Sequence, residues 1–259
     1  GRANGAWWLA QSTGCEFVMR QIGTWAEISW ANVLTGDFNG DGLDDLTGRA
    51  PNGQWWVSLS DGNTIESFKW GKWSNKVNWK HVRLADLNGD GRQDIVASSP
   101  NGKWWAAISN GVTFETSLWG SWRWSKNWQN VIAGDIDGNG LVDLVGQSKD
   151  SGRWWVARSF GDHFKAEHWG TWTTHANWKD IRLGDVNGDG KKDLVGRSGK
   201  SGQWWIGESN GLKFKTYRWT TWSNKAQWTN VMTVDIDGDG DDDILGQTNG
   251  VWWSTFSQA

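Results

Sequence analysis

This chain of 259 residues contains two prolines, one cysteine and one tyrosine. A single thiol, Cys15, rules out an internal disulfide framework and is expected to be a small buried residue. Long apolar runs are missing, so no segment is suited to cross a membrane as a helix. Basic excess is missing too. The formal net charge is −3 and the pI about 5.8, which argues against a nucleic-acid footprint. No stretch of ten residues spaces its apolar positions at i, i+3, i+4, i+7, so helices are not expected. The four histidines, His81, His163, His168 and His175, share no repeat position. No P-loop, GxSxG, HExxH or CxxC is present, and the chain is expected not to be an enzyme. It opens abruptly at Gly1-Arg2 and reads as a mature or trimmed domain.

What is present is glycine (35), tryptophan (27) and a repeat. Internal repeats outrank every other signal for fold. An acidic nonamer recurs as DFNGDGLDD (37–45), DLNGDGRQD (86–94), DIDGNGLVD (135–143), DVNGDGKKD (185–193) and DIDGDGDDD (235–243). Each copy lies between two short β-rich runs. A Gly turn, a Trp-Trp run and a fourth run ending in WGxW or WTTW follow. Four strands per roughly 50 residues mark a β-propeller blade, because a lone four-stranded sheet cannot cover both its faces. The sequence therefore predicts an all-β, five-bladed β-propeller of four-stranded blades in one domain, 1–259. The units run about 31–79, 80–129, 130–179 and 180–229, with 230–259 joined to 1–30 to close the ring. Six Trp-Trp pairs against five acidic loops leave one third strand in excess. A segment cut from a longer array is the alternative to closure.

Oxygen donors at alternate positions of a glycine-tightened turn suit Ca²⁺. The expected ligands are Asp37, Asn39, Asp41, Leu43 and Asp45; Asp86, Asn88, Asp90, Arg92 and Asp94; Asp135, Asp137, Asn139, Leu141 and Asp143; Asp185, Asn187, Asp189, Lys191 and Asp193; and Asp235, Asp237, Asp239, Asp241 and Asp243. The seventh position contributes its backbone carbonyl. An EF-hand would place a bidentate Glu at its twelfth position, where Gly48, Ala97, Gly146, Gly196 and Gly246 stand instead. The ninth-position Asp is then expected to close the site. Asx-rich turns without an ion are the competing reading. Up to five structural Ca²⁺ are expected.

The unit of 49–50 residues with DxNGDGxxD between two strands resembles the FG-GAP/VCBS repeats. These occur in the integrin α-subunit head, in secreted bacterial proteins and in fungal calcium-containing propeller lectins. The resemblance implies a calcium-binding propeller that is secreted or at the cell surface, and it leaves the ligand open. The Trp-Trp and WGxW elements are closer to the Trp-rich propeller lectins than to the seven-unit integrin pattern.

Neighbouring Trp side chains on a strand point to opposite faces, and both members of each pair are expected in the core. Fifteen others, Trp124 among them, fall on the fourth strand and return loop. Aromatic faces beside Asn, Ser, Thr and Lys are the material of sugar sites. The candidates are Trp73, Trp122, Trp172 and Trp222, with Trp25 as the first-unit counterpart. Ile22 stands where other units have Trp70, Trp119, Trp169 and Trp219. Two functions remain open: a multivalent glycan-binding module, or a structural or protein-interaction (adhesion) propeller, trimmed or engineered. The partners expected are glycans or a protein surface, not nucleic acid or a bilayer, with the chain monomeric.

Overall fold

The computed structural model describes residues 1–122 and 127–257, so Trp124 lies outside the described residues. Six meandering sheets form, one for each Trp-Trp pair. Blade I holds β1 (Arg2–Ala3), β2 (Ala6–Ser12) and β3 (Phe17–Thr24). Blade II holds β4 (Ala31–Gly36), β5 (Asp45–Arg49), β6 (Gln54–Ser60) and β7 (Ile65–Lys72). Blade III holds β8 (Lys80–Ala85), β9 (Asp94–Ser98), β10 (Lys103–Ser109) and β11 (Phe114–Ser121). Blade IV holds β12 (Trp128–Gly134), β13 (Asp143–Ser148), β14 (Arg153–Ser159) and β15 (Phe164–Thr171). Blade V holds β16 (Trp178–Gly184), β17 (Asp193–Ser198), β18 (Gln203–Ser209) and β19 (Phe214–Thr221). Blade VI holds β20 (Thr229–Val234), β21 (Asp243–Thr248) and β22 (Val251–Thr255). The chain divides into two compact units, 1–119 and 120–259.

The expected five blades are thus corrected to six, and the two end blades have three strands rather than four. Two Asn-Gly turns explain it. Asn4-Gly5 folds β1 onto β2 with Arg2 opposite Trp7. Asn249-Gly250 folds β21 onto β22 with Thr248 opposite Val251. All four turn residues have positive φ, between 48° and 78°, as tight hairpins with right-handed strand twist require. Each chain end therefore carries its own hairpin of second and third strands, and a single blade has room for one. Cys15 also departs from expectation: it is exposed in the turn between β2 and β3.

The core lies between adjacent blades. In the first unit Trp55, Val57 and Trp73 of blade II and its return loop pack with Ile95, Ala97 and Ala107 of blade III. In the second unit Trp154, Val156 and Trp172 pack with Ile181, Leu194 and Phe214 of blade V. Trp204, Ile206 and Trp222 pack with Val231 and Ile244 of blade VI. Each cluster takes side chains from two sheets, which is how a two-faced sheet buries both sides.

The outermost strands bury more than their position suggests. Trp70, Trp119 and Trp169 are only 2–4% exposed. Pairing slips by one residue at this place in β7 and β15, where Trp55 faces Gly71 but Trp56 faces Lys69, and Trp154 faces Gly170 but Trp155 faces His168. Trp70 and Trp169 are the extra residues of these bulges, and a bulge re-aims its side chain. A second irregularity marks the first strands. Asn32, His81, Asn130, Asp180 and Asn230 all have φ between 50° and 54°, a conformation that Asn, Asp and His tolerate better than other side chains.

Candidate functional site

Each acidic loop leaves its blade's first strand and enters the second. The first-position carboxylate gathers the backbone. Asp37 accepts from Gly40 N at 2.6 Å and Gly42 N at 2.8 Å. Asp86, Asp135 and Asp235 repeat the pattern, and Asp185 accepts from Asp189 N and Gly190 N. The third position accepts from the fifth residue's N–H, as Asn39 does from Asp41 at 3.0 Å. The fifth accepts from the seventh, as Asp41 does from Leu43 at 2.8 Å. Side chains of positions one, three and five are therefore drawn into one concave turn. Gly190, at φ 82°, supplies the left-handed step this winding needs.

The ninth position has a further task. Asp193 Oδ2 accepts from Val186 N at 3.2 Å, and its Oδ1 accepts from Ser209 N at 2.7 Å. Asp45, Asp94, Asp143 and Asp243 make the same two bonds, to residue two of the loop and to the serine that ends or follows the third strand. All five are fully buried. The ninth aspartate thus staples the acidic loop to the third strand. Burial pushes the carboxyls of Asp94, Asp143 and Asp193 up to about 7. Nearby loop aspartates add to the rise, and the backbone N–H bonds oppose it. A carboxylate has about four acceptor sites, so two N–H bonds leave capacity for a cation.

The donor set fits a hard divalent ion. Oxygens of Asp135, Asp137 and Asp143 lie within 4.8 Å of one another, as do those of Asp235, Asp237 and Asp239. The loops differ in how their charge is met. Arg158 reaches Asp137 at 3.4 Å. Arg92 pairs with Asp90 of its own loop, and Lys191 with Asp189 at 2.8 Å. Lys192 pairs with Asp242 at 3.0 Å. Among the described residues no Lys or Arg pairs with Asp235, Asp237, Asp239 or Asp241.

The tryptophans sort into three groups. The first of each interior doublet, Trp55, Trp104, Trp154 and Trp204, is at most 1% exposed. The second, Trp56, Trp105, Trp155 and Trp205, is only half-buried, so the doublets are not wholly core. Trp25, Trp73, Trp122, Trp172 and Trp222 are 1–8% exposed. The rings of Trp25, Trp122, Trp172 and Trp222 lie where a Cβ on Gly48, Gly146, Gly196 or Gly246 of the next blade would collide with them. The indole N–H groups of four of these rings bond hydroxyls of the next blade: Trp25 to Ser58 at 2.7 Å, Trp73 to Thr116, Trp172 to Thr216 and Trp222 to Thr255 at 2.8 Å. In four of the five units a glycine stands in the second strand three residues past the acidic loop, and it is the sequence mark of this packing.

Two clefts of one design open beside these rings. Trp25, Trp30 and Trp56 wall a cavity of about 310 Å³ fringed by Asn52 and Ser67. Trp172, Trp178 and Trp205 wall one of about 350 Å³ fringed by Ser201 and Gln203. Trp172 and Trp178 sit 4.6 Å apart, centroid to centroid, as do Trp25 and Trp30. Trp73 with Trp79, and Trp222 with Trp228, form the same pair. The four histidines are not brought together: His81 belongs to blade III and the others to blade IV or the loops flanking it.

A comparison with curated proteins gave no significant match. A scan against protein families matches the FG-GAP-like repeat at 37–97, 86–146, 135–196 and 185–246. Each match runs from one acidic loop to just beyond the next, over most of the chain. With that repeat carried on blades of an all-β propeller, the chain belongs to the FG-GAP-like repeat family.

Proposed function

We propose that this propeller is a multivalent carbohydrate-binding module whose blades are clasped by calcium. The observation that carries it is the recurrence of one cleft at two blade junctions: half-buried indole faces beside hydroxyls and amides. Such faces stack on the C–H side of a pyranose while the polar fringe bonds its hydroxyls. Each cleft is small, so single sites are weak and repetition gains affinity through avidity. Calcium would be held by positions one, three, five, seven and nine of the loops, and would supply the positive charge that gathered carboxylates lack. Millimolar-affinity calcium modules work outside the cell, which fits a secreted or surface-held protein. The chain binds rather than catalyses in this reading.

A glycan array with calcium present, run on the native chain and on Trp205→Ala, tests the proposal. We expect binding by the native chain, and at least a ~10-fold weaker avid response in the variant. Silence on every glycan at high protein density would sink the lectin reading. It would favour a protein-interaction role, for which the exposed Val251, Trp252, Trp253 and Phe256 of the β22 segment speak. For the ion, chelation should lower the melting temperature and added Ca²⁺ restore it. An unchanged curve with no metal found by elemental analysis would refute it.

A further inference from the structure

Seventh-position side chains of three loops lie across the preceding loop. Arg92 Cγ would sit 3.3 Å from a Cβ on Gly40 of the preceding loop, and Lys191 Cγ 2.9 Å from one on Gly138. From there each cation turns back to the fifth-position aspartate of its own loop, Asp90 or Asp189. So two loop junctions carry a built-in positive charge at the same spot. The junction between the loops at 185–193 and 235–243 carries Asp241 there instead.

Asp241 lies against Gly188 of the preceding loop, where any Cβ would collide with its Oδ1. It is 5% exposed, and its buried Oδ2 has no hydrogen-bond partner. The fifth-position Asp239 accepts from Asp241 N at 2.9 Å, so this loop has a second acidic side chain where Asp90 and Asp189 meet the cations of Arg92 and Lys191. Residue 242 holds the junction shut, with Asp242 N donating to Asp185 O at 2.5 Å and its carboxylate Oδ2 accepting from Asp185 N at 2.8 Å. An unpartnered buried carboxylate oxygen is costly to leave bare. The arrangement becomes favourable if a cation occupies the place that a guanidinium or ammonium takes at the other two junctions.

We propose a second divalent-cation site at this junction, ligated by Asp241 and Asp239 and distinct from the ion held within the loop. A hard cation such as Ca²⁺ suits two carboxylates and the waters that complete its shell. The ion would tie blade V to blade VI, where two other junctions use the tethered cation of Arg92 or Lys191. Its carboxylate donors overlap the in-loop set only at Asp239, whose two oxygens offer acceptor sites for both ions.

The experiment counts bound Ca²⁺ per chain at saturation, by elemental analysis and calorimetry, on the native chain, Asp241→Lys and Asp241→Asn. Lysine restores the charge that Lys191 supplies, and asparagine keeps the shape should lysine fail to fold. The expected result is one ion fewer in each variant. Asp241→Lys should also melt higher than the native chain in chelator, and gain less from calcium. Equal, non-zero counts in all three proteins would overturn this site and leave the in-loop reading standing. A native chain that takes up no ion at all would overturn both.

Discussion

Blades V and VI carry the same doublet at the same register, with different outcomes. Trp204 faces Arg197 across its hairpin and Trp252 faces Gln247. Trp204 is fully buried, whereas Trp252 is 49% exposed. Trp204 is covered by Trp222, Val231 and Ile244, of which the last two belong to blade VI. The ninth aspartate shows the opposite behaviour. Asp193 and Asp243 are both fully buried and make matching pairs of bonds. Burial of the tryptophan is therefore conferred by the next blade, while the aspartate staple is built within each blade.

The sharpest way to break this comparison is to truncate both tryptophans. Trp204→Ala should cost about 3–5 kcal/mol, the range for removing a large buried aromatic. Trp252→Ala should change stability by only about 0.5 kcal/mol, as surface substitutions do. Denaturant melts of the two variants check it, and similar losses would mean that the exposed doublet has a stabilising partner in solution.

A smaller effect sharpens the other half. Asp193→Ala and Asp243→Ala each leave two backbone N–H groups unpaired inside a blade. The loss should be about 1–3 kcal/mol for each group left bare, and alike in the two blades. Melts in chelator keep ion loss out of the measurement. A much larger cost at Asp193 than at Asp243 would show that the staple also depends on a neighbour.

The acidic nonamer and its 49–50-residue spacing made the all-β blade legible, because that motif fixes a turn between two strands whatever surrounds it. Blade count was less legible. The six doublets were visible, but whether the two end segments share a sheet depends on the Asn4-Gly5 and Asn249-Gly250 hairpins acting independently. Tryptophan placement was the least legible. Strand alternation predicts two faces for Trp55 and Trp56, but not that one face meets a tight blade interface and the other a cleft. The burial of Trp70 comes from a one-residue bulge, which periodicity cannot reveal. Gly48, Gly146, Gly196 and Gly246 held the needed signal, since a strand glycine often marks close approach.

A further comparison concerns pH, and it separates interior blades by their carboxyls. Burial raises Asp94, Asp143 and Asp193 from the ordinary 3.8 to about 7 in the folded chain. A folded-state value above the unfolded one means the folded protein holds those protons more tightly. That contribution is fully present below about pH 4 and is lost as pH climbs through about 7. Metal-free protein should therefore melt lower at pH 8 than at pH 5, and Asp193→Asn, which cannot ionise, should flatten the trend. Saturating Ca²⁺ should flatten it too, since a bound ion favours the charged carboxylates. Melting curves across pH 5–8, with and without chelator, read this directly. A metal-free chain that gains stability toward pH 8 would show that the staple aspartates are already ionised when buried, with their N–H bonds outweighing the loss of water.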